Sequence, residues 1–247
     1  MKVFKTMLKT ELKLSFRGID MFIFAICMPV VITALIAIIY GNKPAFEGAN
    51  YTFLQQSFGA LTTIAICAGG VMGLPLVISD YRNKKILKRF KVTPVSPVMI
   101  LAVQLVIYSL YSITSLILIY GVARLFFNYN FQGSWILFLS SYLLVMVSMF
   151  SIGLMVGGIA KDTKIAGVIA SILYFPMLIF SGATLPYEIM PKVLQKIADI
   201  LPLTQGIKLL KAASLGISIN DVTIPIIVMA SIAIVCTLIA VKFFKWE

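Results

Sequence analysis

Residues 222–241 read Val-Thr-Ile-Pro-Ile-Ile-Val-Met-Ala-Ser-Ile-Ala-Ile-Val-Cys-Thr-Leu-Ile-Ala-Val, twenty positions without a charged side chain. About 20 such residues carry one helix across the roughly 30 Å hydrocarbon core of a bilayer. Five further uncharged stretches match or exceed that length: 21–42, 48–79, 92–123, 125–160 and 165–187. Even the longest, 36 residues, is too short for two spans and a turn, so each stretch holds one helix. Barrel strands would alternate apolar and polar side chains over roughly 10 positions, and these runs are apolar all round. The expected fold is an all-α integral membrane protein with six transmembrane helices.

Composition agrees. Of 247 residues, 60% are hydrophobic and only 12% charged, against about 45–50% and about 25% in soluble domains. So apolar a chain is neither disordered nor an ordinary soluble enzyme. Histidine is absent, which removes the commonest metal ligand and general base. Cys27, Cys67 and Cys236 all fall inside spans, where they act as small apolar residues and a disulfide framework is not expected. The first apolar run begins near Met21, is as long as a span and lacks a small-residue cleavage site, so it reads as a helix and not a cleavable leader.

Charge sets the orientation. The N-terminal segment, the 82–91 loop, Lys161, Lys164, Lys242 and Lys245 together hold fifteen basic residues. The opposite set, Lys43, Arg124, Lys192, Lys196, Lys208 and Lys211, holds six. Basic residues stay on the cytoplasmic side, so both termini are expected there, in a multi-pass plasma-membrane protein. Anionic membrane lipids account for the formal +12 more simply than nucleic acid, and no nucleic-acid partner is expected.

The same charges bear on energy supply. No Asp, Glu, Lys or Arg lies deep in a span, whereas ion-coupled transporters carry such a group to bind or relay the ion. A phosphate-binding G-x-x-x-x-G-K-[ST] loop is also missing. Intramembrane catalysis has neither paired carboxylates nor a metal cluster to work with, and no catalytic, cofactor-binding or metal residue is assigned. A passive conduit, a structural protein, or a transport subunit driven by a partner remains.

Three segments favour the driven subunit. In residues 1–19, Lys2, Lys5, Lys9, Lys13 and Arg17 gather on one side of a helical wheel. Val3, Phe4, Met7, Leu8, Leu12 and Leu14 gather on the other, as in a helix lying along the cytoplasmic face. Glu11 interrupts the apolar side, where a carboxylate is costly, and is expected to pair with a cation on a partner or a cytoplasmic loop. In the loop 80–96, Ile86, Leu87 and Phe90 form an apolar patch on a basic helix that Pro94 and Pro97 punctuate. Such a helix can pass force into the membrane, though it also serves as an ordinary positive-inside loop. The segment 183–221 is too apolar for a free loop and too interrupted by Pro186, Pro191 and Pro202 to span. It reads as short external re-entrant helices between spans 5 and 6.

Smaller features are ambiguous. Gly69-x-x-x-Gly73 and Gly153-x-x-x-Gly157 let helices approach closely, more in internal packing than in dimerisation. Pro29, Pro75 and Pro176 mark kinks or hinges. Phe58, Thr62, Thr63, Ser171, Tyr174 and Phe175 on spans 2 and 5 offer aromatic and hydroxyl groups suited to an amphiphile. Leu185, Pro186, Pro191 and Pro202 are candidates for an external gate.

The ordered combination resembles the membrane subunit of the type 2 ATP-binding cassette (ABC) exporter family, over essentially the whole of 1–247. Arg82 to Pro97, with Thr-Pro-Val-Ser before span 3, is similar to the family's loop between spans 2 and 3. Ile152 to Asp162 resembles its end of span 4, and Ser181-Gly182 through Pro186, Glu188, Met190-Pro191 and Leu201-Pro202-Leu203-Thr204 its external helices. The resemblance implies a single transmembrane domain in which 1–19 is a connecting helix and 80–96 a coupling loop. Glu11, Arg82, Lys85, Ile86, Leu87, Arg89 and Phe90 would engage a separate ABC ATPase subunit, and ATP and Mg would belong to that partner. A second permease subunit, in a homodimer or heterodimer, would complete a pathway between spans 2 and 5. The importer branch expects a Glu-Ala-Ala loop, which is missing, so the implied function is efflux of a drug, antimicrobial peptide or lipid-like molecule from a bacterial cell. The alternative is a non-transporting membrane scaffold or immunity protein.

Overall fold

The computed structural model describes residues 2–15, 23–40, 43–45, 49–86, 97–182, 187, 190–217 and 222–243. Helix α1, Lys2–Ser15, is the amphipathic segment. Helix α2 starts as a π turn, Ile23–Cys27, and continues as Met28–Tyr40. The long helices are α3 (Phe53–Asn83), α4 (Pro97–Phe127), α5 (Trp135–Ile159) and α6 (Thr163–Phe180). Two short helices follow, α7 (Lys192–Ala198) and α8 (Pro202–Leu215), and then α9 (Thr223–Phe243). Among the described residues a lone bridge between Pro44 and Thr52 stands in place of any strand.

Five of these helices are long and apolar enough to cross a membrane, and the apolar stretch Ala25–Tyr40 supplies a shorter sixth. The all-α membrane fold expected from the spacing of charges is therefore the fold observed. Span ends differ where a charge sits inside a helix. Arg124 lies a turn before the end of α4, where its Nη1 donates to the Tyr129 carbonyl at 3.1 Å and to Asn130 Oδ1 at 2.5 Å. It reaches the helix end by its own length, so the uncharged run from 125 opens with a helix end and a loop, and α5 begins only at Trp135.

Local signals place the helix starts. Thr52 and Gln55 make a reciprocal capping box at the head of α3: Gln55 N donates to Thr52 Oγ1 at 3.2 Å, and Thr52 N to Gln55 Oε1 at 2.8 Å. Asp162 Oδ1 accepts the Ile165 amide at 2.8 Å and caps α6. In the middle of α3 the ladder loosens into a π turn, Ala68–Gly73, where Leu74 N donates five residues back to Gly69 O. Pro75 follows at once. Proline lacks an amide proton and crowds the carbonyl four residues earlier, and a π turn is a common way for a helix to absorb that.

Burial ranks the helices. In its most apolar window α3 is 83% buried, whereas α6 is 17% and α9 22%. Helix α3 is the axis of the bundle, wrapped by α2, α4, α5 and α8, while α5 and α9 pair along their length. Two glycines permit the closest approach: a Cβ on Gly153 of α5 would lie 1.9 Å from the Gly70 carbonyl oxygen of α3. One turn on, a Cβ on Gly157 would meet Pro75 and Ile78 of the same helix. The small-residue pattern of α5 thus serves internal packing. Outward faces of α2, α6 and α9 are aliphatic, with Ile38, Ile172, Ile224 and Val241 exposed, a surface made for hydrocarbon.

Candidate functional site

The site begins with α1. Phe4, Met7, Leu8 and Leu12 pack on the core, while Lys5, Lys9 and Lys13 point away from it. Val3 and Leu14, expected on the apolar face, are instead about half exposed, at 48% and 52%. The helix lies chiefly against α4, and its last residue, Ser15, places Oγ 2.6 Å from the Tyr111 hydroxyl.

Glu11 is where α1 meets the spans. Its Oε2 accepts a hydrogen bond from the Tyr81 hydroxyl on α3 and one from Gln104 Nε2 on α4 at 3.0 Å. Gln104 Nε2 also donates to Tyr81 Oη at 3.0 Å, closing a triangle across three helices. Within the described residues the carboxylate is met by two neutral donors from the chain itself. The physical reason is reach: Gln104 is 4% exposed and would keep only the Tyr81 hydroxyl as an acceptor if Glu11 turned away. Hydrogen bonds to a carboxylate are roughly twice as strong as neutral ones, so the triangle ties α1 to the end of the central helix.

Arg82 follows Tyr81 and points inward. Its Nη1 donates to the Ala160 carbonyl and its Nη2 to the Gly158 carbonyl at 3.1 Å, with 6% of the residue exposed. The last carbonyls of a helix have no partners of their own and carry partial negative charge. The guanidinium, expected to engage an ATPase, caps α5 within this chain. Asp80 and Lys84 pair at 2.7 Å in the exposed last turn of α3. Lys85, at φ 55°, stops the helix and stands exposed, with Ile86 half-buried beside it. Leu87, Arg89 and Phe90 lie outside the described residues.

The six candidate pathway residues lie on α3 and α6, two helices in contact. Phe58, Thr62 and Thr63 are all but fully buried. The Phe58 ring packs 4.9 Å from Tyr129 and 5.6 Å from Phe138, and both threonine hydroxyls donate to the Gly59 carbonyl within α3. Ser171 and Tyr174 are half-buried on α6, and Phe175 faces out. Of the candidate gate residues, Pro191 sits immediately before α7 and Pro202 begins α8, while Leu185 and Pro186 lie outside the described residues.

At the opposite end from α1, helix α8 is sunk between α3 and α5. A Cβ on Gly59 would stand 2.5 Å from the Lys211 amide nitrogen, and one on Gly206 would stand 3.0 Å from Thr63 Cγ2. Above this contact Tyr187 donates to both carboxylate oxygens of Asp199, at 2.9 and 3.0 Å, and Lys208 Nζ lies 2.6 Å from Asp199 Oδ1. Partial burial and the Asp199 hydrogen bond raise the Tyr187 pKa, with Lys208 opposing. A cavity of about 250 Å³ opens between α2, α3 and α8, bounded by Ile36, Tyr40, Phe53, Thr204, Lys208 and Lys211 among others.

Two findings from known proteins bear on this arrangement. The model of the ABC-2 type transporter family matches residues 2–215, from the start of α1 to the end of α8. The chain belongs to that family. As an ABC-2 protein it is the membrane subunit of an ABC transporter. It is also 30% identical over 94 residues to nodulation protein J of Neorhizobium galegae, a stretch that covers 38% of this chain and 34% of that protein. Within an ABC-2 subunit, Tyr81 and Gln104 are residues that sequence reasoning missed. Gln104 did carry a signal, being the single amide side chain in the uncharged run 92–123.

Proposed function

We propose that this ABC-2 subunit is the permease half of a bacterial exporter in the plasma membrane, driven by a separate ATPase that binds ATP and Mg. The observation that carries the reading is the triangle of Glu11, Tyr81 and Gln104. It joins an amphipathic helix to the end of the most buried span, so a push on α1 or on the loop after Lys85 reaches the centre of the bundle. Export is supported by the lack of an importer-type loop motif, and an amphiphilic cargo by the apolar outer faces of α2 and α6. A second permease subunit would face α6, the least enclosed span.

Reconstitution tests this. Full-length chain and the ATPase encoded beside it are placed in proteoliposomes, and movement of a fluorescent amphiphile is followed after ATP is added on the ATPase side. ATP-dependent loss of the amphiphile from that side is the expected result. Replacing Ile86, Leu87 and Phe90 together by Asp should abolish copurification of the ATPase, and binding that survives overturns the coupling assignment. Should a hydrolysis-dead ATPase preserve the cellular phenotype, the scaffold or immunity reading replaces export.

A further inference from the structure

We propose that the cavity between α2, α3 and α8 binds the uncharged, hydroxyl-bearing head of an amphiphile. The observation that points to a ligand is Thr204. It lines the cavity and is 1% exposed, yet its hydroxyl finds no hydrogen-bond partner among the described residues. Such a group is costly to bury. A ligand hydroxyl in the cavity, able both to donate and to accept, would satisfy it. Ser57 brings a second hydroxyl to the lining from α3.

Charge argues for a neutral head. Lys208 and Lys211, which line the cavity, are both engaged. Lys208 Nζ lies 2.6 Å from Asp199 Oδ1 and 4.1 Å from the centre of the Tyr187 ring. Lys211 is held as well, with the Tyr51 ring at 5.7 Å among its contacts. An anion would have to draw Lys208 from Asp199 or bring its own charge up to that carboxylate, whereas a hydroxyl leaves the pairing in place. The remaining wall is apolar or aromatic. Ile36 and Ile207 form an aliphatic side, and Tyr40 and Phe53 stack at 4.2 Å where α2 ends and α3 begins. Aromatic rings gather at headgroup depth, which puts the cavity level with the headgroups of a bilayer leaflet. At about 250 Å³ it is smaller than the about 300–1,000 Å³ of pockets that enclose a drug-sized molecule. It fits a small head and the first carbons of a chain. Leu35, Ile38 and Ile39, exposed beside Ile36 on α2, give the rest of that chain an aliphatic track.

The ligand's chemistry has two sources, a neutral lipid of the membrane or the cargo itself. What the ligand means rests on the export reading, but its binding needs neither ATP nor ATPase, so the two fail separately. The test is native mass spectrometry of the full chain, purified in lauryldimethylamine oxide so that the detergent brings no hydroxyl. Dioctanoylglycerol or dioctanoyl phosphatidic acid is the added probe. Dioctanoylglycerol should be retained about tenfold better than the acid. Thr204→Val should retain it about fivefold less than the unaltered chain, with Thr204→Ser and Thr163→Val unchanged. Thr163 is the control because its hydroxyl is also unpartnered among the described residues, at the other end of α6 from Ser181 in the cavity wall. Equal or better retention of the acid, or undiminished retention of dioctanoylglycerol by Thr204→Val, overturns the proposal. If Thr204→Val does not purify, Ile36→Trp fills the cavity from its aliphatic side and should abolish retention; retention that persists overturns the proposal. Solvent extraction of the protein as purified separates the sources. An acylglycerol marks the bilayer, another uncharged hydroxylated amphiphile marks cargo, and an acidic or cationic species bound there overturns the proposal.

Discussion

Glu11 and Tyr81, seventy residues apart, share a hydrogen bond that fastens the amphipathic helix to the end of the central span. Gln104 completes the contact by donating to both. Glu11→Ala leaves the buried Gln104 amide without its charged acceptor and should cost about 1–3 kcal/mol of stability, read as a lower thermal transition in detergent. Glu11→Gln keeps the shape and an acceptor and should cost less. In the assembled transporter both variants should keep ATP hydrolysis while losing its coupling to cargo movement. A double-mutant cycle with Tyr81→Phe should give an interaction energy of about 0.5–3 kcal/mol, and a value near zero would remove the contact from the mechanism.

Arg82 gives a second expectation. Arg82→Ala uncovers the carbonyls of Gly158 and Ala160, and Arg82→Lys cannot fork to both. Alanine should destabilise by about 2–3 kcal/mol, the scale of hydrogen bonds made by a charged donor, with lysine intermediate. The loss should appear as faster proteolysis at residues 158–164, where α5 ends and α6 begins. An Arg82→Ala protein that unfolds normally but fails to bind its ATPase would restore the docking role expected from the sequence.

Glycine substitutions form a matched pair. A Cβ at Gly153 would lie 1.9 Å from the backbone oxygen of Gly70, so Gly153→Ala must push α3 and α5 apart and should abolish folded yield. Gly121, also helical, has nothing within 4 Å of the same position. Gly121→Ala should be neutral or stabilising by up to about 1 kcal/mol through its better helix propensity. Expression followed by size-exclusion chromatography separates the two outcomes.

Pro75 offers a test of the hinge. Pro75→Ala restores the missing amide proton and lets the π turn Ala68–Gly73 relax toward regular helix. The variant should show equal or higher thermal stability with slower cargo movement at unchanged ATPase binding. Unchanged movement would argue that the π turn is packing alone.

Much of this architecture was legible because charge is so costly in hydrocarbon: six runs between charges gave six apolar helices, with Lys5, Lys9 and Lys13 on the outer side of α1. Side-chain length set the errors. Arg124 reaches past the end of α4 to the loop, and Arg82 reaches back into the bundle to cap α5, so neither marks a boundary as its position suggests. The burial of the pathway candidates on α3 was hidden for a different reason. Phe58, Thr62 and Thr63 look like lining when α3 is taken alone, but α8 and the turn before α5 enclose them, and no local pattern in a sequence foretells which helix covers which. Glu11 stood out as anomalous, yet its partners lie seventy and ninety-three residues away.

The π turn also changes how α3 is to be counted. It contains one residue more than a regular turn, and each residue of an α-helix advances by about 100°. The halves before Ala68 and after Gly73 therefore cannot be drawn on one helical wheel. A side chain in the first half and one in the second that share a face by arithmetic stand about a quarter-turn apart in the molecule. Scanning mutagenesis along this span should accordingly show two periodic patterns, each regular, with a phase slip between them at the turn.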